Sequence, residues 1–166
     1  MVEEVEENNM AREESKEKVV ALNRKASHDY FLEERYECGI ALTGTEIKSV
    51  RTGKVQFKDA FISIYKGEAW IKGMHISPYK YGNIFNVDSK RVRKLLMHKK
   101  EILKLFGQSK QQGFSIIPIS IYFKGSNVKV QVGLCKGKKL YDKREDMAKK
   151  SAQRTMERAL KDLSRY

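Results

Sequence analysis

The stretch YFLEERYECGIAL, residues 30–42, decides the fold, because its apolar and polar side chains alternate with a period of two. Apolar and aromatic side chains fall on the even-numbered positions, with Glu34 as the exception. The polar side chains of Glu33, Arg35 and Glu37 fall on the odd-numbered positions. This alternation predicts a long strand with one buried face. Gly39 lies within it and predicts a bend or a bulge, as the curvature of a barrel requires.

Two further pairs of strands are predicted, one before and one after the middle of the chain. Residues 60–65 and 69–76 are rich in β-formers and are separated by a short turn containing glycine, which predicts a hairpin. Residues 114–123 and 128–134 predict a second pair, joined through residues 124–127. We therefore expect a mainly β fold with helices, built as a small antiparallel barrel like the oligonucleotide-binding (OB) fold.

Helices are predicted in two places within this barrel. Thr43 and Glu46 have the spacing of a capping box, which predicts a short helix that ends at Gly53. We expect a second helix from Ser89, its cap, to Phe106, with Gly107 as its stop. Apolar side chains support the second helix by recurring at steps of three and four residues, at Val92, Leu95, Leu96, Leu103 and Phe106.

Charge divides the chain into three segments. Residues 1–20 hold seven glutamates against three Lys or Arg residues, and we expect a flexible acidic extension there. Residues 21–135 form the predicted OB-like barrel. Residues 136–166 form a basic tail, expected to be disordered or to become helical on binding, with Asp142 and Glu145 at capping-box spacing. The net charge of +13 therefore resides in the barrel and the tail, and a polyanion is the expected partner.

Several classes of protein are not supported by the sequence. Cys38 and Cys135 and the three histidines lack metal-ligand spacing, so we expect neither a metal nor a cofactor. No apolar run approaches the roughly 20 residues of a membrane span, and no signal peptide is recognisable, so the expected location is the cytoplasm. Residues 133–139 match a phosphate-binding loop poorly, and we expect no enzyme. Two alternatives stay open: a ribosomal or translation-factor OB protein that binds ribosomal RNA, and an OB-like metal-dependent nuclease.

Several short motifs follow one another in a fixed order, namely Asn23-Arg-Lys-Ala26, Tyr36-Glu-Cys-Gly39, Thr43-Gly-Thr-Glu-Ile-Lys-Ser49, Met74-His-Ile-Ser-Pro78, Arg93-Lys-Leu-Leu96, Gly137-Lys-Lys139 and Tyr141-Asp-Lys-Arg144. From about residue 21 to the C-terminus, the chain thereby resembles the small protein B family (SmpB, the SsrA-binding proteins). The resemblance implies a bacterial protein that binds the tRNA-like part of transfer-messenger RNA (tmRNA, or SsrA). It also implies delivery of that RNA to stalled 70S ribosomes for trans-translation.

The resemblance implies further partners. The tail would enter the empty messenger channel near the decoding centre of the small ribosomal subunit. Elongation factor Tu and alanyl-tRNA synthetase would take part through the RNA. The protein would act as a monomer, without a membrane and without catalysing a bond change.

The expected RNA-binding residues combine positive charge, stacking groups and one acceptor. Arg24 and Lys25 are supported by charge alone, and Glu37 could accept hydrogen bonds from exposed base edges. Leu96 could pack in the core of the second helix instead. The full set of expected RNA contacts is Asn23, Arg24, Lys25, His28, Glu37, Leu96, His98, Lys99, Lys124 and Lys129.

The expected ribosome contacts lie at the start of the tail. Tyr141 is placed between two basic runs, where it could stack on a base of the decoding centre. The full set is Gly137, Lys138, Lys139, Tyr141, Asp142, Lys143 and Arg144.

Overall fold

The computed structural model describes residues 17–111 and 113–164. Its strands are β1 (Glu17–Leu22), β2 (Tyr30–Ile40), β3 (Val55–Gln56), β4 (Phe61–Tyr65), β5 (Glu68–Lys72), β6 (His75–Ile76), β7 (Arg93–Leu96), β8 (Phe114–Lys124) and β9 (Asn127–Gly137). Its α-helices are α1 (Arg24–Asp29), α2 (Gly44–Arg51), α3 (Lys99–Ser109) and α4 (Leu140–Leu163), and a 3-10 turn covers Asn83–Phe85.

The strands form a single large antiparallel sheet with the order β1-β8-β9-β2-β7-β5-β4, beside a small pair of β3 and β6. The hairpin predicted around residue 67 is β4 and β5, and the pair predicted after residue 113 is β8 and β9. The mainly β, antiparallel, OB-like architecture with a basic C-terminal segment is confirmed. The hydrogen-bonded ladder ends at β1 and at β4, so the predicted barrel is not closed into a ring. We call this open, curved sheet with α1, α2 and α3 the barrel.

Strand β2 follows the predicted alternation. Its even-numbered residues are buried or half-buried, and its odd-numbered residues are exposed up to Glu37. The register shift in its pairing with β9 lies between Leu32 and Glu34, so a bulge at Gly39, one of the two predicted alternatives, is wrong. Gly39 instead permits a close approach, because a Cβ atom there would lie 3.3 Å from the Cβ of Leu96 on β7.

The core lies inside the curve of the sheet. Buried side chains of β2, β5, β8 and β9 meet those of α2 and α3, of which Val50 and Leu105 are fully buried. A smaller cluster of Ala26, Ile117 and Cys135 seats α1 on the opposite face of β8 and β9. Strand β8 is therefore buried on both faces, which explains its nearly continuous apolar sequence.

The helix predicted from Ser89 to Phe106 is wrong in its first half. Residues 93–96 are strand β7, which pairs with β2 on one side and β5 on the other. Helix α3 begins only at Lys99 and continues through Gly107 to Ser109. The error arose because a short run with apolar residues at 92, 95 and 96 fits a helical spacing, while the pairing that selects a strand comes from residues distant in sequence.

Of the remaining predicted helix boundaries, those of α2 are confirmed and the one at the start of α4 is wrong. The capping box of Thr43 and Glu46 is present, and Gly53 follows α2 with a φ of +76°. At α4 the Lys139 backbone N–H donates to the Asp142 carboxylate at 3.2 Å. Asp142 therefore lies inside the first turn, and the capping box predicted for Asp142 with Glu145 is wrong.

Only the last residues of the predicted acidic extension lie within the described part of the chain. Residues 17–20 belong to β1, which pairs with the second half of β8. The flexibility expected for residues 1–16 lies outside the described residues. Helix α4 has no buried residue along its length. No helix in the described ranges is long and apolar enough to cross a membrane.

Candidate nucleic-acid interface

A surface depression lies where β2, β7, β9 and the start of α3 meet. The strand register creates it, because Gly39 of β2 pairs with Leu96 on one side and with Lys129 on the other. Half of the residues predicted to bind RNA line this depression, namely Glu37, Leu96, His98, Lys99 and Lys129. The structure therefore brings together residues that lie up to 92 positions apart in the chain.

Glu37 is held in place by two side chains of β8, which is separated from β2 by β9. The Tyr122 hydroxyl donates a hydrogen bond to its carboxylate, and Lys124 Nζ lies 3.5 Å from its Oε1. The Tyr122 hydrogen bond and the positive charge of Lys124 lower the pKa of Glu37 below its ordinary value of 4.5, against the opposing effect of burial. Because 40% of the side chain is exposed, Glu37 presents an ionised acceptor to solvent.

Tyr122 is a site residue that the sequence analysis missed. Tyr122 is buried. This burial and, as the next largest cause, the hydrogen bond to Glu37 raise the pKa of the Tyr122 hydroxyl. The group therefore stays protonated and keeps donating. The only available signal was its place in the predicted strand 114–123, and that signal does not reveal which carboxylate lies opposite.

Lys124 joins this site through its ion pairs. Its Nζ lies 4.0 Å from Glu17 on β1, besides the contact with Glu37. The acidic N-terminal segment thus shares a cation with the candidate site. Part of the positive charge of Lys124 is already neutralised within the protein.

Leu96 has a different environment from the one predicted. It lies on a strand rather than on a helix, and 57% of its surface is exposed. Its apolar side chain therefore forms part of the rim of the depression. His98 and Lys99 are exposed beside it at the start of α3, where the His98 backbone N–H donates to Glu101 at 3.3 Å.

The four RNA-binding candidates around α1 lie apart from the depression. Among the described residues, no hydrogen bond or ion pair connects these four to it. Asn23 caps α1 by accepting from the Ala26 N–H at 3.2 Å, and it also donates to the Pro118 carbonyl at 2.9 Å. Arg24 is exposed. Lys25 pairs with Asp59 at 2.8 Å, and His28 Nδ1 lies 2.9 Å from Asp29. Asn23 thus has a structural task that accounts for its presence.

The seven tail candidates lie where β9 ends and α4 begins, and this region contacts α1. Lys143 Nζ lies 3.3 Å from Asp29, and Lys138 Nζ donates to the Ser27 carbonyl at 3.1 Å. The Lys138 side chain is only 7% exposed and also pairs with Asp146. Its ammonium group therefore anchors the first turns of α4 to the barrel.

The other tail candidates face solvent to different degrees. Tyr141 is 65% exposed, so its ring is open to stacking. Gly137 ends β9, and Lys139 and Arg144 are exposed, whereas Asp142 accepts the backbone hydrogen bond described above. The start of α4 therefore presents an aromatic ring among positive charges.

Comparison with known proteins identifies the family of the chain. The family model for SmpB protein matches residues 20–162. An SsrA-binding protein of Carboxydothermus hydrogenoformans is 56% identical over 145 residues, which cover 87% of this chain and 97% of that protein. An SsrA-binding protein of Acetivibrio thermocellus is 56% identical over 153 residues, covering 92% and 98%.

A solved structure is similar as well. It is described as "tmRNA-SmpB: a journey to the center of the bacterial ribosome", and its matching chain has a TM-score of 0.63 and 46% identity. The match covers 72% of this chain and 85% of that one. Because the family model spans nearly all of the described residues and the relatives are this similar over nearly their whole length, the chain belongs to the SmpB family.

Proposed function

We propose that this chain binds transfer-messenger RNA and delivers it to stalled ribosomes for trans-translation. The match to the SmpB family over residues 20–162 is the observation that carries this proposal. Relatives that are 56% identical over the aligned residues are named as SsrA-binding proteins, and the similar solved structure concerns tmRNA, SmpB and the ribosome. The alternatives of a ribosomal OB protein and of a nuclease receive no comparable support.

The barrel would hold the RNA through a few directed contacts within a positive field. Folded RNA is recognised by shape, backbone and unpaired bases, because its major groove is too narrow for side chains. Glu37 supplies a fixed acceptor for amino and imino groups of a base edge, and Lys99 and Lys129 lie beside it for phosphates. The exposed side chain of Leu96 offers an apolar contact at the same rim.

The tail would act on the ribosome instead of on the tmRNA. Its exposed positive side chains suit a channel lined with phosphate, and the open ring of Tyr141 suits a decoding-centre base. Residues Gly137 to Arg144 would form that contact. Lys138 and Lys143 would have to leave their intramolecular partners, Asp146 and Asp29, to take part directly.

The remaining parts of the proposal follow from this role. The protein would work as a monomer in the cytoplasm and would not catalyse a reaction itself. Alanyl-tRNA synthetase and elongation factor Tu would act on the same RNA and would meet this chain through it.

Selective RNA binding tests the proposed function. The purified full chain is titrated with a tmRNA transcript and, separately, with a mixture of elongator tRNAs at near-physiological salt. We expect clear preference for tmRNA, because both RNAs offer phosphates but only one is the proposed partner. Equal affinity for the two would contradict the proposal.

A further inference from the structure

The loop between β6 and β7, residues 77–92, exposes an unusual amount of apolar surface away from the depression described above. Tyr81 is 71% exposed, Ile84 is 88% exposed and Phe85 is 74% exposed. Single exposed apolar residues are common, but a cluster within five consecutive positions is typical of an interaction surface. None of the contacts assigned above to RNA or ribosome includes these residues.

This loop is held in a defined conformation. The side chain of Asn86 accepts from the Tyr79 N–H at 3.1 Å and donates to the Tyr79 carbonyl at 2.9 Å. The Phe85 N–H donates to the Gly82 carbonyl at 2.9 Å, and the Thr45 hydroxyl donates to the Phe85 carbonyl at 3.2 Å. The loop is thereby tied to α2, and its rings are presented to solvent in fixed positions, which reduces the entropy lost on binding.

The charges beside the rings are positive. Lys48 Nζ lies 5.2 Å from the centroid of the Tyr79 ring, and Lys80 Nζ lies 5.5 Å from that of Tyr81. A cleft separates the loop from the first turns of α2, and none of its lining residues within the described ranges is acidic. Glu46 of the same helix turns inward, where it pairs with Arg91 and Arg93.

We propose that this aromatic ledge, formed by Tyr79, Tyr81, Phe85, Lys48 and Lys80, binds an unstacked base of single-stranded RNA. The base would stack on Phe85 or Tyr81, and the two lysines would contact the phosphates on either side. Aromatic rings flanked by cations are how proteins bind single strands without reading their sequence. The proposal rests on the proposed RNA-binding function and adds a second contact surface to it.

RNA fits the ledge better than an apolar protein segment does. An apolar segment would cover the rings but would leave Lys48 and Lys80 without a partner of opposite charge. A nucleotide supplies both a flat apolar face and a negative charge within a few ångströms. The ledge places cations beside its rings, at 5.2 Å for Tyr79 and 5.5 Å for Tyr81, as binding of a base with its phosphate requires.

The test measures binding of fluorescent decauridylate to the full chain at salt high enough to weaken purely electrostatic contacts. Stacking survives such salt, whereas contacts made by lysines alone do not. We expect the double variant Tyr81→Ala/Phe85→Ala to bind about tenfold more weakly, and Phe85→Trp to bind as well as the unaltered chain. Ile84→Ala is the matched control, because it removes exposed apolar surface from the same loop without removing a ring. Thermal unfolding checks that all variants fold.

Two further arms identify the source of the RNA. The same double variant is titrated with a tmRNA transcript and with purified 70S ribosomes. A tenfold loss with decauridylate and with either of these supports the proposal and says which RNA the ledge contacts. Unchanged decauridylate affinity would overturn it, and reduced ribosome binding alone would then indicate a ribosomal contact other than a stacked single strand. If the double variant binds only decauridylate more weakly, and binds tmRNA and ribosomes as the unaltered chain does, the proposal is also overturned. The stacking on decauridylate would then be adventitious.

These outcomes are separable from failure of the proposed function. If the unaltered chain shows no preference for tmRNA, the proposed function is at fault. If the unaltered chain prefers tmRNA but the double variant behaves like it in every arm, only the ledge proposal fails.

Discussion

Glu37 is the residue on which base recognition at the depression would depend. We expect Glu37→Ala to weaken binding to tmRNA about tenfold, because one well-oriented base contact contributes about 1–3 kcal/mol. Thermal stability should fall only modestly, because the side chain is 40% exposed, although the substitution removes the acceptor of the Tyr122 hydroxyl. Gel-shift titration and thermal unfolding measure the two quantities. Glu33→Ala is the matched control, because Glu33 is an exposed glutamate on the same strand. Unchanged affinity at unchanged stability would contradict the role of Glu37.

Glu34 makes the stability of the folded protein depend on pH in the acid range. It is the inward exception in the alternation of β2, where the Tyr36 hydroxyl, Lys104 and Gln108 hold its carboxylate. The Tyr36 hydrogen bond, followed by those of Lys104 and Gln108, lowers its pKa from 4.5 to about 2. The stabilisation from Glu34 is therefore complete above about pH 4.5 and is lost as the pH falls through about 2.

Urea unfolding of Glu34→Gln at several pH values tests this dependence. The variant should be less stable than the unaltered chain near pH 7, and the difference should shrink steadily below about pH 4.5. A difference that is constant down to the lowest measurable pH would contradict the assignment.

Arg93 shows how a basic residue can serve the core rather than RNA. It is fully buried, pairs with Glu46, and donates to the carbonyls of Met74 and Arg91 at 2.9 Å each. Arg93→Ala leaves Glu46 as a buried charge with a weaker pairing, so we expect a loss of about 3–5 kcal/mol in the free energy of unfolding.

The control for this loss is the next residue of the same strand. Lys94 forms an exposed ion pair with Glu68 at 2.7 Å, and Lys94→Ala should cost less than about 1 kcal/mol. Chemical denaturation compares the two variants. Equal losses in the free energy of unfolding would contradict the larger contribution expected from the buried pair of Arg93 and Glu46.

At the scale of elements, α4 and the barrel have separable tasks. Helix α4 contributes nothing to the core, and its first turns attach to the barrel through Lys138 and Lys143. Truncation after Leu140 should leave tmRNA affinity within about twofold and abolish the tagging of stalled peptides. A reconstituted translation assay on a message without a stop codon measures tagging. Tagging by the truncated chain would contradict the division of tasks.

Local pattern predicted some elements well and one badly. Strand β2 was predictable because its alternation runs over eleven residues, and α2 because its capping box is a contact between neighbours in sequence. Strand β7 was not predictable from local pattern, because its four residues are too few to show a period. Its conformation is selected by hydrogen bonds to β2 and β5, which the local sequence does not reveal.

At the scale of the molecule, binding should depend steeply on salt. The net charge is +13, and each phosphate contact releases counterions from the RNA. If about six phosphates are contacted, affinity for tmRNA should fall about a thousandfold between roughly 50 and 200 mM salt. Filter binding over this range measures the slope. A flat profile would exclude phosphate contacts as the main source of affinity.

The amino-acid sequence by itself determined the mainly β class, the long alternating strand, the basic surplus and the family, because these depend on composition, local periodicity and motifs. Only the tertiary structure decided that Leu96 is an exposed residue of strand β7 in the same depression as Glu37, that Tyr122 orients Glu37, and that Asn23 and Lys138 are already engaged within the protein. These facts depend on strand register and on contacts between residues far apart in the chain. Such contacts arise from packing of the whole sheet, and no local pattern specifies them.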